Sequence, residues 1–362
     1  MSGIQIHTKF FRTFKVNIES ECKFFTIEGH CKSQGCAVCQ CDDNNIPIPW
    51  KKTDLVHTEN YHNSNIIEKD TNEDEYFWRV EEFEKDEGTY VDLKTNVEAY
   101  TGYQGQKIWK LIYEENCFKG EEKDMCKEER TLNRILSGLH ASVSTQLCEL
   151  YLNDFEQKNK NYVPNWPLYF QKVGDYHERI QNLLFYYTVL LRAINRADKV
   201  LRNYDYNTGD FVEDFNVKTI INDILDITTL QCDHPFQEKD FFTSIRGKQA
   251  KIYYQNYIHN ITRIMDCVEC GKCKVFGKMQ VYGIGVALKI LFSGDSTVQI
   301  QNLRRNEIIT LVNAFVKCAS SVEIIENMFF RKYNFYKSLG LAIFSSVMTF
   351  LLFLIFAFYF KD

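Results

Sequence analysis

At 362 residues the chain can build one large domain or two medium ones, and its 45% hydrophobic and 25% charged residues are ordinary for a globular protein. A formal net charge of −5 gives no electrostatic argument for a phosphate backbone, so nucleic acid is not expected as a partner. Only five prolines interrupt the chain, which favours long helices, and 28 Phe with 21 Tyr supply a deep aromatic core or ligand pocket.

In chain order, Met1 to Phe14 carries charge and no apolar run of seven, so it does not read as a signal peptide. Residues 1–45 form a cysteine-rich N-terminal segment, irregular and loop-rich from residue 10, with Cys22, Cys31, Cys36, Cys39 and Cys41 among Gly29 and Gly35. Residues 46–90 read as a polar, acidic connection, with ten acids against three bases between Glu68 and Glu87. Helical periodicity begins after Glu129, where Leu132, Ile135, Leu136, Leu139, Val143, Leu147 and Leu150 recur at three- and four-residue steps. A second stripe runs from Ile180 to Leu201, a third covers Ile220 to Ile227, and further helices are expected near 243–265, 284–293 and 305–332. Residues 91–335 therefore read as a helical core, and the fold class as mainly α, a single domain with a helix-bundle core. Ser338 to Phe360 is an uncharged apolar run of 23 residues flanked by Lys337 and Lys361. As a helix it would reach roughly 34 Å, enough to cross a bilayer, so 338–360 is expected to be a C-terminal transmembrane anchor.

Thirteen cysteines are the most informative feature. A cytosolic chain seldom carries so many unless they hold metal, whereas an oxidising compartment makes disulfides of them. The odd total leaves at least one thiol without an intramolecular partner. The late cluster Cys267-Val-Glu-Cys270-Gly-Lys-Cys273 contains two overlapping CxxC pairs. That spacing is open to zinc, although no second ligand pair is evident, and to an iron–sulfur cluster, although the expected following Cys-Pro is missing. Plain structural bridges are a third reading. The fourth is a redox disulfide on the first turn of a helix, where amide donors together with Lys272 and Lys274 would favour the thiolate. In the early cluster, Cys31 and Cys36 can close a small exposed ring, which suits either a reducible shuttle or an inert staple.

The segment from Asn260 through Cys267, Cys270 and Cys273 to Gln280, continuing over Gly283–Phe292, closely resembles the active-site segment of the endoplasmic reticulum oxidoreductins. Three more blocks agree in order: Tyr100-Thr-Gly-Tyr103, Ile112-Tyr-Glu-Glu-Asn-Cys-Phe118 and Ser137-Gly-Leu-His-Ala-Ser142. The resemblance runs from about Phe10 to about Asn327. It implies a flavin-dependent thiol oxidase whose helix bundle cradles FAD. In that pattern Cys270 and Cys273 look like the flavin-proximal disulfide, and Cys31 and Cys36 like the mobile shuttle pair. Cys22–Cys267 and Cys117–Cys126 look like structural disulfides, and Cys41 like a regulatory residue able to trap Cys36. FAD contacts carry over to Thr101, Trp109, Ser137, His140, Arg192 and Arg202. Trp109 can stack on a ring, the two arginines can pair with pyrophosphate, and Ser137 and His140 share one helix face. No metal is implied.

The partners implied are protein disulfide isomerases and molecular oxygen, with hydrogen peroxide as product, and the body is expected to be a monomer in the endoplasmic reticulum lumen, tethered to its membrane. The sequon Asn260-Ile-Thr262 is consistent with a lumenal glycoprotein. Lacking a visible signal, the sequence is expected to begin downstream of the true N-terminus. The chain departs from the family pattern in three places. Ala99 stands where an arginine is usual, the stretch from Tyr103 to Trp109 is about three residues short, and Cys39 is extra, with no cysteine between Cys41 and Cys117.

Overall fold

The computed structural model describes residues 7–25, 36–51, 88–97, 106–117, 122–145, 166–173, 177–230, 236–292 and 303–329. A short helix α1 (Lys9–Arg12) leads into strand β1 (Thr13–Val16), which pairs antiparallel with β2 (Thr89–Asp92) in the register Thr13↔Asp92 to Val16↔Thr89. Eight longer or intervening helices follow: α2 (Gln106–Asn116), α3 (Lys127–Ser144), α4 (Trp166–Val173), α5 (His177–Arg196), α6 (Asp198–Asn203), α7 (Phe211–Leu230), α8 (Ile245–Met265) and α9 (Gly271–Phe292). Helix α10 (Arg305–Phe329) closes the described chain.

Helix α3 forms where the apolar stripe predicts it, and Leu132, Ile135, Leu136 and Leu139 are all buried. Each such side chain contributes about 1.5–3 kcal/mol. The stripe packs on α5, and the crossing is close because Gly138 has no side chain. A Cβ there would stand 2.2 Å from the Asn182 carbonyl oxygen and 2.6 Å from Tyr186 Cβ. Gly283 plays the same part between α9 and α10, where a Cβ would meet Ala314 Cβ at 2.4 Å. Helix α10 also reaches α3 through Ser321 and Ser142 hydroxyls 3.1 Å apart, and α5 through stacked Tyr187 and Phe315 rings.

The structure differs from the sequence expectation in three respects. Helix α9 begins at Gly271, not near 284. Its four glycines (271, 277, 283 and 285) each disfavour a helix by about 1 kcal/mol, and burial on nearly every side erases the polar face that periodicity needs. Helices α2 and α4, of 11 and 8 residues, are too short to show a repeating apolar stripe in the sequence. The strand pair was read as irregular, because β1 has only four residues and its partner lies 76 positions away, counted Thr13 to Thr89.

Both α9 and α10 are apolar and long enough to cross a membrane, but α9 is mostly buried inside the protein and serves as a core helix. The expected anchor at 338–360 lies outside the described residues.

Long-range polar contacts lash the N-terminal segment to these two helices. Asn313 Nδ2 donates to the Phe11 carbonyl (3.2 Å), Asn306 Nδ2 to that of Lys15 (3.0 Å), and Arg305 to that of Thr13. Further along, Lys278 donates to the Asn17 carbonyl at 2.7 Å, and Lys274 to those of Ile18 and Ser20 at 3.4 and 3.3 Å. A disulfide joins Cys22 to Cys267. The chain start is thereby brought to the first turn of α9.

Candidate functional site

That turn carries the late cysteine cluster. Cys270 immediately precedes α9 and Cys273 lies in its first turn, both buried, with exposures of 3% and 1%. Because Cys267 is bonded to Cys22, the cluster cannot act as a three-thiolate metal ligand set. Among the described residues no group of three or more His, Cys, Asp or Glu gathers as metal ligands. The ammonium of Lys274 is directed to the Ile18 and Ser20 carbonyls, so its hydrogen bonds serve the N-terminal segment.

A second cysteine-bearing segment lies directly on this turn. The Lys272 amide, between the two cysteines, donates to the Cys36 carbonyl at 3.3 Å. A Cβ on Gly271 would meet Val38 Cγ2 at 2.8 Å and the Cys36 carbonyl oxygen at 3.1 Å. Cys41, on the same segment, is half-buried and donates its amide to the Tyr90 carbonyl at 2.7 Å. Burial first, then the Asp92 charge, pushes its thiol pKa up, which keeps it protonated near neutrality. Cys31 lies outside the described residues.

The α3 face predicted to hold a cofactor meets α2. The Trp109 indole and the His140 imidazole stack, with centroids 4.0 Å apart and planes 17° apart. The Tyr113 hydroxyl lies 3.0 Å from His140 Nδ1. Burial, reinforced by Arg179 and then Lys172, lowers the His140 pKa to about 3, so the ring is neutral. One turn earlier, Ser137 Oγ accepts from Asn182 Nδ2 (3.1 Å), and Asn182 Oδ1 accepts from Arg134 (3.2 Å). Thr101 lies outside the described residues.

Tyr113, Ser137 and Asn182 open on a cavity of about 930 Å³ whose wall also carries Arg130, Arg134 and Arg179. Its size is at the upper end of ligand pockets, about 300–1,000 Å³. FAD, the group implied by the resemblance, fits this donor set. The guanidiniums match a pyrophosphate, and the buried Tyr169 hydroxyl beside Arg179 lacks a hydrogen-bond partner. The Trp109–His140 stack, which matches a planar ring system, lies behind the cavity wall and reaches it through Tyr113.

The two arginines expected to hold the pyrophosphate have carboxylate partners in this structure. Arg192 is ion-paired with Glu238 at 2.7 Å, and Arg202 sits among Asp198, Asn222 and Asp226 on an exposed surface. Neither lines the cavity. Arg179 and Lys172 provide the positive charge beside His140 instead. The sequence signal for Arg179 was slight, a lone cation one residue before the Ile180 stripe.

No disulfide joins Cys117 to Cys126 or Cys270 to Cys273 in this structure, so both expected pairs are in the thiol form here. Cys126 is the N-cap of α3 in a capping box with Glu129, whose Oε2 accepts its amide at 2.7 Å. Cys117 continues α2, donating its amide to the Tyr113 carbonyl, and faces the cavity, where burial pushes its pKa up to about 11.

A buried thiol pair at a helix start, in a helical bundle that also holds a cation-lined cavity, is an arrangement suited to thiol–disulfide chemistry. Residues 4–325 match the family described as Endoplasmic Reticulum Oxidoreductin 1. The chain is 34% identical to Endoplasmic reticulum oxidoreductin-1 of Arabidopsis thaliana, over 89% of this chain and 74% of that protein. It is 31% identical to ERO1-like protein alpha of Rattus norvegicus, over 89% and 83%. A double cysteine-to-alanine mutant of S. cerevisiae Ero1p superposes with a TM-score of 0.61 at 27% identity, covering 90% of this chain and 92% of that one.

The chain belongs to the endoplasmic reticulum oxidoreductin family. It is accordingly a disulfide-forming oxidoreductase of the endoplasmic reticulum that serves oxidative protein folding.

Proposed function

We propose that the chain oxidises protein disulfide isomerases through two disulfides in series. A reduced isomerase attacks the Cys31–Cys36 bridge and leaves oxidised. The resulting dithiol then reduces Cys270–Cys273. Bound FAD would accept the electron pair from these thiols and pass it to molecular oxygen, giving hydrogen peroxide. The observation that carries the reading is the contact of the Cys36 backbone with the Cys270–Cys273 turn, which puts the two cysteine-bearing segments against each other.

The chain's own residues have separable tasks. Trp109 and His140 supply a flat, neutral aromatic surface for the flavin, with Thr101 and Ser137 as polar contacts. Arg179 and Lys172 replace Arg192 and Arg202 as the partners of its pyrophosphate. Isomerase disulfides lie near −180 mV and inert structural ones below about −300 mV, so a staple-like shuttle would accept electrons uphill by roughly 5–6 kcal/mol. An accessible Cys31–Cys36 loop is therefore a requirement of the scheme. Residues 338–360 anchor the monomer in the endoplasmic reticulum membrane with its catalytic body in the lumen.

The test uses the full chain purified in detergent. It should be yellow with bound flavin and should consume oxygen when given reduced isomerase. Cys36→Ala should abolish isomerase oxidation but spare oxidation of dithiothreitol, whereas Cys273→Ala should abolish both. Equal loss of both activities in Cys36→Ala, or a colourless sample with zinc on the cysteines, would reject the scheme.

A further inference from the structure

The segment from Cys36 to Cys41 is a strap held at both ends. At one end it lies on Gly271, with its Cys36 carbonyl on the Lys272 amide at 3.3 Å. At the other end a single side chain grips its backbone. Asn96 Oδ1 accepts the Cys39 amide at 2.8 Å, and Asn96 Nδ2 donates to the Cys39 carbonyl at 2.8 Å. The carboxamide thus imitates one rung of a strand at a point where the chain has already turned away after β2.

Asn96 is itself fixed. It is 4% exposed, and its Nδ2 also donates to the Asp92 carbonyl at 2.9 Å. Just past the Asn96 clamp the strap continues the sheet edge, through a Gln40↔Val91 bridge and the Cys41 amide on the Tyr90 carbonyl. All of these strap bonds use backbone groups of the strap. They fix where Cys36 stands while leaving sulfur chemistry to the side chains.

We infer that Asn96 and Gly271 are positioning residues for electron transfer between the two cysteine pairs. The inference rests on the relay reading above. In the step they serve, the Cys36 thiolate attacks one sulfur of the Cys270–Cys273 disulfide, breaking that bond and forming a mixed disulfide. Cys31 then attacks the Cys36 sulfur, expelling the active-site thiolate. Two electrons and, in balance, two protons pass to Cys270 and Cys273, and the Cys31–Cys36 bond is remade. Exchange of this kind depends on access to the attacked sulfur, and misplacement by about 1 Å can cost as much as 100-fold. Gly271 lets the strap come down onto the turn, and Asn96 stops it from lifting away.

The experiment compares oxidation of reduced isomerase with oxidation of dithiothreitol, which bypasses the shuttle, in the full flavin-loaded chain. Asn96→Ala should slow isomerase oxidation roughly tenfold, through kcat and not KM, with dithiothreitol oxidation and flavin content unchanged. Asn96→Asp, which keeps the acceptor and loses the bonds donated by Nδ2, should fall between. Gly271→Ala should also slow isomerase oxidation, and Val38→Ala in the same chain should restore part of the rate by removing the nearer obstruction. A folded Asn96→Ala protein that oxidises both substrates at the wild-type rate overturns the inference. Should Asn96→Ala not fold, the Gly271→Ala and Val38→Ala pair decides, and absence of any rescue overturns it. Isomerase oxidation persisting in Cys36→Ala would instead remove the relay reading on which the inference stands.

Discussion

His140 lies flat against Trp109 in the interior of the protein, with the Tyr113 hydroxyl on its Nδ1. Burial and the nearby Arg179 and Lys172 lower the His140 pKa to about 3, against about 6.5 in the unfolded chain. The unfolded chain therefore binds the proton more readily. The stabilisation that follows is complete above pH 6.5 and is lost as pH falls towards 3.

Moving from pH 7.5 to pH 5 should accordingly cost about 2 kcal/mol at this one residue. Urea denaturation of the wild type and of His140→Phe at both pH values isolates the effect, since the variant keeps an aromatic ring and loses the titration. The difference between the two proteins should shrink by that amount at the lower pH. A constant difference would mean that His140 is solvated.

Gly138 sets the distance between α3 and α5, and with it the Ser137–Asn182 bond on the cavity wall. Gly138→Ala puts a carbon into the space of a backbone oxygen and cannot be relieved by a rotamer change. The helices must separate, at a cost of about 3 kcal/mol. Flavin retention should fall together with the urea midpoint.

Arg179 of α5 and Arg202 of α6 give opposite predictions. Arg179→Ala removes a cation from the cavity and should weaken flavin retention by roughly 10- to 100-fold, the value of a charged hydrogen bond. Arg202→Ala removes an exposed ion pair worth about 0–1 kcal/mol and should leave the flavin in place. The flavin-to-protein absorbance ratio after extensive dialysis distinguishes them. Flavin loss in Arg202→Ala but not in Arg179→Ala would reverse the assignment.

Arg179 marks the limit of what the sequence alone can place. Arg179 and Arg192 stand on one helix thirteen residues apart, about 20 Å along its axis, and both carry the same chemistry. Only the tertiary packing decides which end faces the cavity. The stripes of α3, α5 and α8 were legible because each keeps one apolar face. The start of α9 was not legible from periodicity, since a wholly buried helix has no polar face to report. The cysteine motif at that start was legible because its information is local. The Asn96 clamp left no trace in the sequence, because its partner Cys39 is 57 positions away and is gripped by the backbone alone.

Lys278 and Asp266 form an ion pair at 2.6 Å, and the lysine side chain is wholly buried. Asp266 directly precedes the disulfide-bonded Cys267, and Lys278 also holds the Asn17 carbonyl. The pair therefore ties the cysteine turn to the N-terminal segment in a place where water cannot replace either partner. Removing one charge strands the other, which costs about 3–5 kcal/mol, whereas removing both with apolar residues can be nearly neutral. Lys278→Met alone should thus destabilise the fold by that amount and expose Cys270 and Cys273 to a thiol reagent after reduction. Adding Asp266→Leu should recover much of the loss in urea denaturation. Strictly additive losses would show that the two side chains act separately, Lys278 through Asn17 alone.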